Sequence, residues 1–134
     1  MSVYLFPHGA NEFDSAKDLA NFLRGELTKR RGIYHVVTAN KYTSPQADDL
    51  VIFCREGTFV GEAWVKKGLR RYPKPKPIKG GVYDGELVFY PETIKVYRKP
   101  ARFEDVRQTL GLKVNPQAIQ RLSPVAYKTI VQSR

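Results

Sequence analysis

The run Leu50-Val51-Ile52-Phe53-Cys54 constrains this chain most. Apolar residues without alternation describe a strand covered on both faces, so it must lie inside a sheet with material above and below. Glu56-Gly57 then turns the chain, and Thr58 to Lys66 returns as a second strand, so the run opens a hairpin. Along the return, strict alternation puts Phe59, Gly61, Ala63 and Val65 on one face and Val60, Glu62, Trp64 and Lys66 on the other. Cys54, inside the hairpin, reads as a small core hydrophobe.

The elements around the hairpin follow from local signals. Val3 to Phe6 is a short strand, stopped by Pro7, and His8 to Asp14 is a turn-rich loop. Ser15 followed by Asp18 marks a helix start, and Ala16, Leu19, Ala20, Leu23 and Leu27 give one apolar stripe at the helical period. Gly32 is the expected cap after Lys29-Arg30-Arg31. Ile33 to Thr38 reads as a strand and residues 44–48 as a turn. Val82 to Tyr90 and Ile94 to Arg98 are expected to pair as a second hairpin around Pro91-Glu92. Phe103, Val106 and Leu110 mark a short helix ended by Gly111. Ala118 to Leu122 is a last strand, and Ser123-Pro124 starts a terminal helix through Tyr127, Ile130 and Val131. Short strands with a few helices predict an α+β fold, a small curved β-barrel flanked by two or three helices.

A length of 134 residues fits one domain, 1–134. No apolar run approaches membrane-spanning length, and the start lacks the apolar core of a signal peptide, so a cytoplasmic protein without a membrane partner is expected. One cysteine and two histidines leave little material for a metal site, and no cofactor-binding motif is present. Walker, zincin, nucleophile-elbow and acid-acid-lysine nuclease patterns are also missing, so the expectation is a binding domain and not an enzyme.

Charge points to the partner. Lys and Arg number 23 against 13 Asp and Glu, a net charge of +10, which is the usual footprint of a polyanion binder. The basic residues concentrate in Lys66, Lys67, Arg70, Arg71, Lys74, Lys76 and Lys79, a stretch with three prolines and no acid. The prolines make it a stiff, extended loop, and a phosphate backbone would supply its counter-charge. Arg30 and Arg31 are further phosphate candidates, although cations also suit the end of a helix.

Aromatic residues are interleaved with these cations: Tyr34 with His35, then Tyr42, Trp64, Tyr72, Tyr83 and Tyr90. Rings grouped around a pocket can hold an extruded base while lysines hold the flanking phosphates. Trp64 shares its face with charged residues, so it either covers the sheet beneath a helix or stacks on a base. His8 and His35 are lone histidines, suited to hydrogen bonding, and His8 falls in the loop beside the candidate pocket.

Several of these segments, in this order, resemble the YTH and EVE domains of the PUA-like superfamily. Ile33 to Lys41 after a helix is similar to the segment that supplies a cage aromatic. Asp49 to Phe53, Gly57 and Phe59 to Ala63 are similar to the group's hairpin. Leu87 to Tyr90, Pro100 to Val106 and Gln120 to Pro124 resemble its later elements. The resemblance implies a curved or closed barrel flanked by helices that binds methylated adenine in RNA or modified bases in DNA. It implies a base pocket with Tyr34 as cage aromatic, and Asn11 to Asp14 at the base edge, with Asn11 or Asp14 bonding it. The family often has Trp where Tyr34 stands, and its second cage Trp is missing, leaving Tyr72 or Tyr83 as substitutes. The expected function is therefore a reader of a modified or flipped base, stacking on Tyr34 with Trp64 and Tyr83. Such a module could serve a modification-dependent restriction or RNA-processing system, with a nuclease or ATPase as partner domain or chain. The alternatives are an RNA-binding accessory domain without modified-base specificity and a small nuclease.

Overall fold

A computed structural model describes residues 1–37, 45–78, 81–110 and 119–132. The expectations for Tyr42, Lys79, Gly111 and Ala118 lie outside these residues. The element order is β1 (Val3–His8), α1 (Ala16–Asn21), a π-helical turn (Phe22–Glu26), α2 (Leu27–Lys29), β2 (Ile33–Val36), β3 (Leu50–Arg55), β4 (Thr58–Ile78) and β5 (Gly81–Phe89). A 3-10 turn (Pro91–Thr93) follows, then β6 (Lys95–Arg102), α3 (Phe103–Leu110), β7 (Gln120–Leu122) and α4 (Pro124–Val131).

The fold is mixed α+β. Among the described residues seven strands run in the order β2-β5-β4-β3-β1-β7, with β6 also on β4. Among the described residues no pairing joins β2 to β7, so the sheet stays open and is not a closed barrel. As its unbroken apolar run requires, β3 is central, parallel to β1 and antiparallel to β4. The parallel pair is reached by a crossover through the α1–α2 rod and β2.

Alternation along β1 and β3 sends side chains to two cores. Tyr4, Phe6, Val51 and Phe53 meet Leu19, Ala20, Leu23 and Leu27 of the rod. Val3, Leu5, Leu50, Ile52 and Cys54 meet Val106 of α3 and Ala126 and Ile130 of α4. The caps read from the sequence are present. Ser15 Oγ accepts from Asp18 N at 3.1 Å, and Ser123 Oγ from Ala126 N at 3.1 Å. Arg31 and Gly32 end the rod with φ of 57° and 84°, and Gly32 N–H donates to the Leu27 carbonyl at 2.8 Å. The β3–β4 turn has φ of 41° at Glu56 and 86° at Gly57, as a two-residue hairpin with a primed turn requires.

Four expectations need correction. Strand β1 continues through Pro7 to His8, because β7 reaches only Leu5 and no ladder donor is needed beyond it on that side. Strict alternation on β4 fails at Val60: Phe53 pairs with Gly61 but Cys54 with Phe59, so a bulge shifts the phase. Phe59 and Trp64 therefore share the α3–α4 core, while Val60, Ala63 and Val65 share the other.

The basic stretch from Lys66 is not a loop, because β4 runs on to Ile78 and pairs with β5. Pro73 and Pro75 fall where that ladder is interrupted, between Arg71 and Lys76, so their missing N–H groups break no regular pairing. Finally, β5 and β6 do not pair with each other. They follow one another along β4, β5 on Val65 to Ile78 and β6 on Thr58 to Glu62, with the 3-10 turn at Pro91 between them.

Candidate nucleic-acid interface

Where the rod, β2 and the β4–β5 arm converge, a cavity of about 360 Å³ opens. Its lining includes His8 from β1, Phe13 from the following loop, Phe22 and Arg30 from the rod, His35 from β2 and Tyr83 from β5. Asn11, Glu12, Tyr34, Val37 and Gly81 complete it.

Its deepest part is polar but satisfied. His8 is 5% exposed, and its Nδ1 lies 3.2 Å from the Cys54 carbonyl. A carbonyl only accepts, so Nδ1 carries the proton and Nε2 accepts from the Tyr34 hydroxyl at 2.6 Å. Burial holds the imidazole below its ordinary 6.5, against the opposing Glu12 carboxylate 4.0 Å away, so the ring is neutral at neutral pH. The Tyr34 ring, only 7% exposed, is packed 6.0–6.4 Å from the rings of Phe6, Phe22, Phe53 and Phe89. It forms the floor and offers no open face for stacking.

The walls are aromatic. Phe13 and Phe22 meet at 5.4 Å and 58°, and Arg30 lies 5.9 Å over the Phe22 ring. Opposite chain segments contribute His35 and Tyr83, 5.4 Å apart with 38° between their planes. His35 belongs to a second relay: its Nδ1 donates to the Tyr72 hydroxyl at 3.1 Å, and that hydroxyl donates to Glu86 Oε1 at 2.7 Å. Strands β2, β4 and β5 thus each supply one member. Burial and the Glu86 carboxylate raise the Tyr72 phenol to about 12.

The structure gathers some expected residues and separates others. His8, Asn11, Tyr34 and Tyr83 line the cavity together, and Arg30 joins them from the phosphate candidates. Asp14 does not: its carbonyl accepts from Arg55 Nη2 at 2.8 Å, which ties the loop down. Trp64 lies away from the cavity, packed with Tyr127 and Val131 against the α3–α4 core. Arg31, Lys66, Lys67, Arg70, Arg71, Lys74 and Lys76 are all exposed. Lys76 is cross-strand from Tyr83, and its Nζ lies 4.4 Å over the Tyr72 ring. Lys66 and Lys67 sit at the other end of the ladder, near Val88.

Phe22 is the wall residue that the sequence reading leaves out; Phe13 enters it only within the 11–14 loop, and His35 only as a hydrogen-bonding histidine beside Tyr34. Phe22 carried a usable signal, a large ring off the apolar stripe of its own helix.

No family model matches the sequence, and no curated protein matches it. Solved structures do match. The YTH domain of the Zygosaccharomyces rouxii MRB1 protein, determined in complex with N6-methyladenosine RNA, aligns with a TM-score of 0.60 at 18% identity, covering 98% of this chain and 84% of that one. Rpa0253 from Rhodopseudomonas palustris, determined by NMR, aligns with a TM-score of 0.58 at 10% identity, covering 99% and 92%. This chain therefore shares the fold of a YTH domain over nearly its whole length.

Proposed function

We propose that this chain is an RNA-binding domain that takes one extruded, modified base into the cavity beneath its basic arm. One observation carries the reading: the β4–β5 hairpin supplies both a ring of the pocket, Tyr83, and the cation opposite it, Lys76. A base entering the cavity would leave its own phosphates beside that strand, where Arg70, Lys74 and Lys76 are exposed. A similar fold that was solved holding N6-methyladenosine RNA favours RNA and a methylated base. In this reading Tyr83 and His35 face the base, Phe13 and Phe22 close the other side, and Tyr34 with His8 forms the polar floor.

Titration of matched methylated and unmethylated RNA and DNA tests it. Stacking is worth roughly 1–3 kcal/mol per base, so Tyr83→Ala should weaken methylated RNA by about tenfold or more. Neutralising Lys74 and Lys76 should weaken every oligonucleotide alike and flatten the salt dependence. Equal affinity for methylated and plain RNA, or a Tyr83→Ala variant that binds as tightly as the parent, overturns the reading.

A further inference from the structure

We propose that His35 selects the base, through a ring nitrogen held as a hydrogen-bond acceptor, so that the cavity takes a base presenting an N–H and disfavours one presenting a carbonyl. The inference rests on the base-reading function above and names the ligand class of that site.

The argument starts at Glu86. A carboxylate only accepts, so the Tyr72 proton points to Oε1 at 2.7 Å. The Tyr72 oxygen then meets His35 Nδ1 at 3.1 Å with its own proton already committed, and can only accept. Nδ1 therefore carries the hydrogen. A neutral imidazole has one N–H, so Nε2 is left with a lone pair. The groups around the ring favour the neutral form. Burial comes first, then Arg30 from the rod and Lys76 from β4, with Glu86 from β5 alone pulling the other way, and His35 titrates below its ordinary 6.5. His35 also lines the cavity and rests against Tyr83, so Nε2 is the polar atom that its ring can offer to a bound base.

The chemical class follows. Adenine and cytosine carry an exocyclic amino group, whereas hypoxanthine and uracil put a carbonyl at the same place. One methyl on the amino group leaves one N–H; two methyls leave none. A carbonyl facing the Nε2 lone pair loses the bond and adds repulsion, which costs about tenfold or more in affinity. Tyr72 and Glu86 are positioning residues: they never touch the base but decide which nitrogen carries the hydrogen.

The test uses the full chain and an oligouridine RNA with one central position varied: adenosine, N6-methyladenosine, N6,N6-dimethyladenosine or inosine. Adenosine should bind about tenfold tighter than inosine, and N6-methyladenosine, the tightest of the four, should exceed the dimethyl form by at least as much. Tyr72→Phe keeps the ring but removes the acceptor, and Glu86→Gln lets the relay run either way. Both variants should bring the adenosine-to-inosine ratio towards one, and thermal melting shows that each remains folded. A merely structural role would weaken all four oligonucleotides alike. Equal binding of adenosine and inosine, with both weakened by Tyr83→Ala, overturns the His35 inference and leaves the base pocket standing. A parent ratio preserved in both folded variants also overturns it. Binding insensitive to Tyr83→Ala overturns the pocket itself.

Discussion

Gly32→Ala should destabilise this fold strongly. Gly32 joins the rod to β2 at φ 84°, and a methyl there would stand 1.9 Å from the Phe89 carbonyl oxygen and 2.8 Å from its carbon. That neighbour is backbone, so relief requires β5 or the rod end to move by about 1 Å within a packed core. The left-handed conformation adds about 1–2 kcal/mol for a residue with a Cβ. Two hydrogen bonds are strained by the movement, Gly32 N–H to the Leu27 carbonyl and Phe89 N–H to the Gly32 carbonyl, both 2.8 Å, at about 1 kcal/mol each. The total is about 3–4 kcal/mol, a large part of the 5–15 kcal/mol that roughly holds a domain together. Urea denaturation of the parent and the variant measures it, and the melting temperature should fall by roughly 10–15 °C. Gly25→Ala is the control: a methyl there meets nothing within 4 Å, so stability should hold or rise slightly. A Gly32→Ala loss under about 1 kcal/mol, or an equal loss at Gly25, would refute the close-approach argument.

Further outcomes follow from the buried polar groups. His8 and His35 both titrate below 6.5 when folded, so the unfolded chain binds protons that the folded chain refuses. Stability should be flat above about pH 6.5 and fall as pH drops beneath it; denaturation midpoints that rise on acidification would contradict this. Cys54 is buried with its thiol pushed up to about 11, so a thiol reagent at pH 8 should label it only as the chain unfolds. Glu62, 9% exposed, accepts from the Tyr97 hydroxyl at 2.8 Å and from Tyr127 at 3.3 Å. Tyr97→Phe should cost about 1–2 kcal/mol, read by denaturation, and no loss would mean that water replaces the bond.

Sequence alone revealed those parts of the fold whose cause is local. The Glu56-Gly57 turn, the Ser15 and Ser123 caps and the Gly32 stop each depend on a conformation or hydrogen bond within a few residues. The β1–β3 pairing was hidden because a parallel partner lies across a long crossover. The pairing of the arm is hidden in the sequence because prolines normally argue against a paired strand, and only the cross-strand register shows that Pro73 and Pro75 occupy a gap in the ladder. At the site, Tyr34 and Tyr83 could be nominated one by one, but their roles depend on depth: Tyr34 is walled in by phenylalanines, while Tyr83 stands half-buried on the hairpin. The sequence marks His35 only as a lone hydrogen-bonding histidine, because its partners, Tyr72 and Glu86, are distant in sequence and adjacent only across three strands.

The 21-residue β4 is at once a core strand and one side of the basic arm. The arm is therefore a cantilever rooted at Val65 and Phe89, not a detachable tether. Load taken up by Lys74 and Lys76 must travel as bending along β4 into the interior of the sheet. Replacing the arm with a flexible substitute of equal charge would keep the attraction to polyanions but lose the leverage that sets Tyr83 over the pocket.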